Sequence, residues 1–216
     1  MILRAFDGRA AQAEALAEAV AEDLSRALEA RGTAHLAVPG GSTPATFLTA
    51  LGGQALDWSR VVVTLTDERQ VAADDARSNA RLVRETLLVG ATDARFLPLW
   101  TGEYAGDVAE ALPLDVAVLG MGADMHTASL FPDAKGLEAA LADGATVAVV
   151  TPAGLEPRVT LSGPVLRAAG RRYLLIQGEE KRAALDRARA ASDVLEAPVR
   201  VVLVDGDPPT EVYYAA

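Results

Sequence analysis

The spacing of apolar residues changes repeatedly along the chain. Between residues 8 and 31, Leu16, Val20, Leu24 and Leu28 recur every four residues. This predicts a helix with one buried stripe, capped by Asp7 and stopped by Gly32. The pattern then breaks into short apolar runs. Ala34–Val38 (AHLAV) and Val61–Leu65 (VVVTL) read as buried strands, as do residues 115–119 (DVAVL), 146–150, 173–177 and 199–204 (VRVVLV). Helices are expected between them. The first is short and starts at Pro44 with Ser42 or Thr43 as its cap. A second follows a Ser78 cap and turns Leu82, Val83 and Leu87 inward. Others are expected over residues 103–111, 137–142, 162–169 and 179–191. Trp58, Trp100 and the Tyr213-Tyr214 tail read as packing residues. There is no internal repeat, linker or domain boundary in the pattern. Alternating strands and helices predict one α/β domain over residues 1–216, with a mainly parallel sheet and helices on both faces.

Composition narrows the picture. The chain has 216 residues, 50% of them hydrophobic, which is ample for one core. No stretch approaches the roughly 18–20 apolar residues of a membrane span, and the N-terminal pattern is not that of a secretory leader. A cytoplasmic protein is expected, with no membrane partner. The absence of cysteine excludes disulfides and thiolate chemistry. A net charge of -10 without a Lys/Arg run argues against nucleic acid as a partner. A small anion remains compatible with that charge if cations cluster locally. Of the basic residues, 18 are arginine and only Lys135 and Lys181 are lysine.

Three loops follow predicted strands and carry reactive groups. PGGSTP, with Gly41, Ser42 and Thr43, offers flexible backbone, hydroxyls and the start of a helix, a combination that suits a phosphate. A capped turn without a ligand is the alternative. The loop is neither a Walker sequence nor GxGxxG. TDER places Asp67 and Arg69 at the same sheet edge, where they could orient a polyol or stabilise a developing oxyanion; a surface ion pair would look the same. Ser78-Asn79 reads as a helix cap. The third loop, GMGADMHTASLFP, exposes Asp124 and His126 after a strand and two glycines. His126 is the natural general base, and Asp124 could orient its ring or contact the substrate; a lone histidine in a turn could also be structural. His35, at the start of a strand without a partner motif, reads as structural. Arg158, in PRVT, and Lys181, in QGEEKRAAL, would complete a phosphate clamp if the fold brings them to PGGSTP. Alone, each would be a solvated cation. Without GxSxG or a metal-ligand cluster, water activated by His126 is the simplest chemistry.

PGGSTP, TDERQVAADDARSN, GMGADMHTASLFP and PRVTLSGPVLRAAGRRYLLIQGEEKRAAL together resemble 6-phosphogluconolactonases in order and spacing, over nearly the whole chain. The resemblance implies a fold like that of glucosamine-6-phosphate deaminase and ribose-5-phosphate isomerase. It also implies metal-free, cofactor-free hydrolysis of 6-phospho-D-glucono-1,5-lactone, the second step of the oxidative pentose phosphate pathway. By resemblance His126 is the water-activating base, and Asp67, Arg69 and Asp124 are active-site polar groups. Gly41, Ser42, Thr43, Arg158 and Lys181 are sugar-phosphate contacts by the same resemblance. A phosphosugar lactone is the expected partner, and the assembly a monomer or small homo-oligomer. Two residues depart from the family pattern. Met125 stands where the family has glycine, with an expected strain of roughly 1–2 kcal/mol if φ is positive there and a side chain able to crowd the lactone. Ala72 stands where proline is usual.

Two other functions fit parts of this pattern. An amino-sugar-phosphate deaminase or isomerase would share the fold, but the segment after its histidine differs from TASLFP. A non-catalytic phosphosugar sensor would bind without turnover, and Met125 is the one feature favouring it. Ammonia release would identify the first, and binding without lactone hydrolysis the second.

Overall fold

The computed structural model describes residues 1–104 and 106–216. In chain order the elements are β1 (Ile2–Phe6), α1 (Arg9–Arg31), β2 (Ala34–Val38), α2 (Ala45–Gly52), β3 (Val61–Leu65), β4 (Asp67–Arg69), α3 (Asn79–Glu85), α4 (Leu87–Gly90) and β5 (Arg95–Leu97). Then follow β6 (Val116–Gly120), α5 (Leu137–Leu141), β7 (Val147–Val150), β8 (Arg158–Leu161), α6 (Gly163–Ala168), β9 (Arg171–Gln177), α7 (Glu179–Ala190) and β10 (Glu211–Ala215). Gly106–Ala111 forms a 3-10 turn within the helix expected over 103–111; Ala105 lies outside the described residues. Among the described residues no helix is long and apolar enough to cross a membrane.

Seven strands form a parallel sheet in the order β1-β10-β9-β6-β2-β3-β5, flanked by helices. The fold is therefore the expected α/β class. The central strands β2, β3, β6 and β9 are buried along most of their length, as a parallel sheet covered on both faces requires. The chain builds outward from β2 through β3 to β5. It then returns to the other side of β2 with β6 and continues to β9 and β10. Neighbouring strands β2 and β6 thus lead away in opposite directions, which opens a crevice between their carboxyl ends.

A second sheet was not foreseen. Beyond β3 the chain passes through Thr66, whose N–H still bonds Val38 of the main sheet at 2.9 Å while its carbonyl accepts from Leu161 at 2.9 Å. The following β4 pairs antiparallel with β8, and β8 with β7. DER is too short to show strand periodicity by itself, and the partner strand lies some ninety residues on.

Several boundaries are corrected. Residues 199–204 are not a strand: Pro198–Val201 form a 3-10 turn. Pro198 has no N–H for a ladder, and the valines bury themselves against the core instead. The last strand is β10, which holds Tyr213 and Tyr214 and lies between β1 and β9. Gly8, in extended backbone, rather than Asp7, precedes α1, while Gly32 ends it in the left-handed region with φ 79°. Pro44 occupies the cap position of α2, and neither Ser42 nor Thr43 caps it.

Candidate active site

The carboxyl ends of β2, β3, β6 and β9 surround a cleft of about 240 Å³. Its walls include Gly41, Ser42 and Thr43 after β2, Asp67 and Arg69 beyond β3, His126 after β6, Arg158 from β8 and Lys181 from α7. Eight of the nine residues singled out from the sequence thus share one cleft. The ninth, Asp124, stands behind His126 and bonds its Nδ1 at 2.5 Å. His35 is remote from this group, at the amino end of β2, with its Nδ1 3.1 Å from the Pro113 carbonyl.

The His126 turn is built by local bonds. Gly122 N–H donates to the His126 carbonyl at 3.0 Å, and Met125 N–H to the Gly122 carbonyl at 3.1 Å. A Cβ on Gly122 would land on the His126 ring and the Asp124 carboxylate, so only glycine leaves room for this pair. From outside, Val199 N–H bonds the Met125 carbonyl at 3.0 Å and Arg187 bonds the Ala123 carbonyl at 2.8 Å. The 3-10 turn that replaces the expected last strand therefore buttresses the histidine loop. Burial works to raise the Asp124 carboxyl, but the His126 hydrogen bond, its charge and backbone donors together hold it below the ordinary carboxylate range. An ionised Asp124 accepts Nδ1–H and leaves Nε2 as the basic nitrogen.

Met125 does have positive φ, 67°. Its side chain packs against the hydrophobic core and is not among the residues lining the cleft.

Three cations, Arg69, Arg158 and Lys181, meet Asp67 in the cleft of a chain whose net charge is -10. Burial pushes the Arg158 guanidinium below its usual range; Asp67 opposes this and neighbouring Arg69 adds to it. Its Nε is buried without a hydrogen-bond partner among the described residues. Burial likewise lowers the Lys181 ammonium. Desolvated, incompletely partnered cations of this kind favour an anionic ligand. The hydroxyls of Ser42 and Thr43, freed from capping, accompany them.

Other residues around the site were not singled out. Strand alternation puts Asp67 and Arg69 on one face of β4 and Glu68 on the other. Glu68 is buried there and accepts from the backbone N–H of Arg69, Asn79 and Ala80 at 2.8, 2.8 and 2.7 Å. Ser129 Oγ donates to Asp67 at 2.6 Å. Phe131 stacks on His126 with centroids 3.9 Å apart and lies 5.1 Å from the Arg158 guanidinium. Asn79 belongs to the cleft wall, and Ser78 alone does the capping expected of the pair. The alternating pattern of DER was a usable signal for Glu68; nothing local announced Ser129 or Phe131 as neighbours of these groups.

Comparison with known proteins places the chain by sequence and by fold. Residues 7–210 match the family model described as "Glucosamine-6-phosphate isomerases/6-phosphogluconolactonase". The 6-phosphogluconolactonase of Rhizobium meliloti is 44% identical, with 97% of each chain covered. That of Pseudomonas aeruginosa is 44% identical over 93% of this chain and 90% of the relative. The crystal structure of a 6-phosphogluconolactonase from Shewanella baltica superposes with a TM-score of 0.95 at 38% identity, covering 100% of this chain and 98% of the other.

Proposed function

The chain belongs to the glucosamine-6-phosphate isomerase/6-phosphogluconolactonase family, and from that premise we propose that it hydrolyses 6-phospho-D-glucono-1,5-lactone to 6-phospho-D-gluconate, with His126 as general base. The observation that carries this reading is the convergence of His126, its Asp124 partner and three cations on one crevice at the carboxyl edge of the sheet.

In this reading the 6-phosphate lies against Arg158, Lys181 and the Gly41–Ser42–Thr43 turn. Holding the phosphate spends binding energy on placing C1 near His126. Nε2 of His126 takes a proton from water as the water oxygen bonds C1. Arg69, or backbone N–H groups near Gly41, stabilise the tetrahedral oxyanion. When the bond from C1 to the ring oxygen breaks, His126 returns the proton to that oxygen. Asp67, fixed by Ser129, orients sugar hydroxyls. Asp124 keeps the imidazole in the tautomer that makes Nε2 the base.

The test is an assay with freshly generated lactone, corrected for spontaneous hydrolysis, with the product identified as 6-phosphogluconate. Turnover above the spontaneous rate is expected. Phosphogluconate binding without turnover would replace this reading with a sensor, and ammonia release from glucosamine 6-phosphate would replace it with a deaminase.

A further inference from the structure

Asn79 is a buried amide in the wall of the cleft. At the first position of α3 its side chain is not needed for capping, because Ser78 Oγ already accepts from Arg81 N–H at 3.2 Å. Both ends of the amide are nevertheless used. Nδ2 donates to the Asp67 carbonyl at 2.8 Å, and Oδ1 accepts from Arg69 Nη1 at 2.7 Å. The same Nη1 reaches the Arg77 carbonyl at 2.5 Å. With Nη1 occupied on one side, Arg69 has Nε and Nη2 without protein partners among the described residues.

The contact is set from below as well. Glu68 accepts the backbone N–H groups of both Arg69 and Asn79, so one carboxylate fixes the two backbones whose side chains then meet. From above, Gly40 of the PGGSTP loop lies so close that a Cβ there would land on the Asn79 amide. Gly40 does not have positive φ, so glycine is required at that position by this contact and not by backbone conformation. Asn79 therefore joins the PGGSTP turn, the Asp67 backbone and the Arg69 guanidinium.

We infer that Asn79 is a positioning residue: it aims the free edge of Arg69 into the cleft and affects lactone hydrolysis only through Arg69. This rests on the proposed function. Removing the amide lets the guanidinium turn away from the reacting carbonyl, and small misplacements of such groups are costly.

The test is a double-mutant cycle on lactone turnover, with thermal melts in parallel. Asn79→Ala is expected to lower kcat by about tenfold or more with a smaller change in KM. Arg69→Ala is expected to lower kcat further, and the double variant to match Arg69→Ala alone. Gly40→Ala keeps the Glu68 contacts but displaces the amide, so it too should lower kcat. A merely structural Asn79 would lower Tm, and its effect on kcat would multiply with that of Arg69→Ala; that result overturns the inference. So does wild-type kcat in Asn79→Ala. If Asn79→Ala does not fold, the cycle of Asn79→Ser with Arg69→Ala decides, since the inference requires the Asn79 effect to vanish without Arg69. A wild-type chain that leaves the lactone at its spontaneous rate would remove the proposed function and this inference with it; any of the other failures removes the inference alone.

Discussion

Arg171 opens β9 at the amino edge of the main sheet, between Asp23 at 3.1 Å and Glu211 at 2.7 Å. Arg158, at the opposite edge, has Arg69 and Val150 for its cross-strand partners and a buried Nε with no partner among the described residues. The contrast extends to their neighbours. Asp23 also bonds Tyr173 Oη at 2.5 Å, and Glu211 also bonds Arg4 at 2.5 Å. At the cleft, the Ser42 and Thr43 hydroxyls have no hydrogen-bonded partner among the described residues, and Ala128 has left-handed backbone, as do Met125 and Asp133 in the same segment outside the lining. At the amino edge Arg172 also has a buried Nε without a partner among the described residues, but its Nη groups donate to the carbonyls of Arg167, Ala169 and Pro208, so most of that guanidinium is satisfied by the fold. Charges left incomplete and desolvated at one edge are what a ligand site looks like before its ligand arrives.

The two histidines give the sharpest form of this comparison. His126→Ala is expected to reduce lactone turnover by about 10²–10⁴-fold without unfolding the chain. His35→Gln, at the amino edge, is expected to leave turnover unchanged. Steady-state rates with circular dichroism as a folding control decide it. Equal effects from the two substitutions would mean that the edges do not differ in function.

The arginines extend the comparison to stability. Arg171→Met takes one cation from two buried carboxylates that keep Arg26, Tyr173 and Arg4 as partners, so the loss is that of charge-assisted hydrogen bonds, about 1.5–3 kcal/mol, or roughly 3–12 °C in Tm for a chain of this size. Its KM should not change. Arg158→Met removes a desolvated cation lying beside Arg69, so Tm should stay at or above wild type. Its KM should rise by about 10–100-fold through loss of charge-assisted bonds to phosphate. Thermal melts and KM values together would sink the distinction if Arg158→Met proved the less stable of the two.

A smaller effect concerns pH. Burial lowers the Lys181 ammonium, with Glu180 opposing only in part. A phosphate dianion favours the charged form. Affinity for 6-phosphogluconate is therefore full while Lys181 is protonated and falls as pH rises through its folded-state value, earlier than for a solvated lysine. Calorimetric Kd values from about pH 7 to about pH 10 should show this fall, and Lys181→Arg should flatten it. Identical curves for the two proteins would take Lys181 out of the phosphate site.

The division between the edges also explains what could be read from the chain alone. Cleft loops follow buried strands of distinctive composition, and their unusual residues, GGST, DER and GADMH, are adjacent in sequence. The amino-edge network is assembled from Asp23, Arg171 and Glu211, which come from three distant segments and carry no local mark. β4 was hidden for the same reason, since three residues define a strand only once β8 is beside them. The apolar run at 199–204 misled because burial in a 3-10 turn and burial in a strand select the same valines, and Pro198 was the signal that separated them.

Met125 is the smallest test and separates strain from chemistry. Its φ of 67° is held by bonds on both sides of the residue, from its own N–H to Gly122 and from Val199 to its carbonyl. Alanine at this position keeps the unfavourable backbone and loses the side-chain packing. Glycine loses the packing too but adopts the left-handed region freely, an advantage of about 1 kcal/mol even after its greater flexibility when unfolded partly offsets the gain. Met125→Gly should therefore melt about 2–4 °C above Met125→Ala. Both should retain turnover, because the turn's hydrogen bonds use main-chain atoms and the methionine side chain lies outside the cleft. An alanine variant as stable as the glycine variant would show that the turn relaxes out of the left-handed region. A glycine variant with reduced kcat and an unchanged melt would show instead that methionine stiffens the loop on which His126 sits.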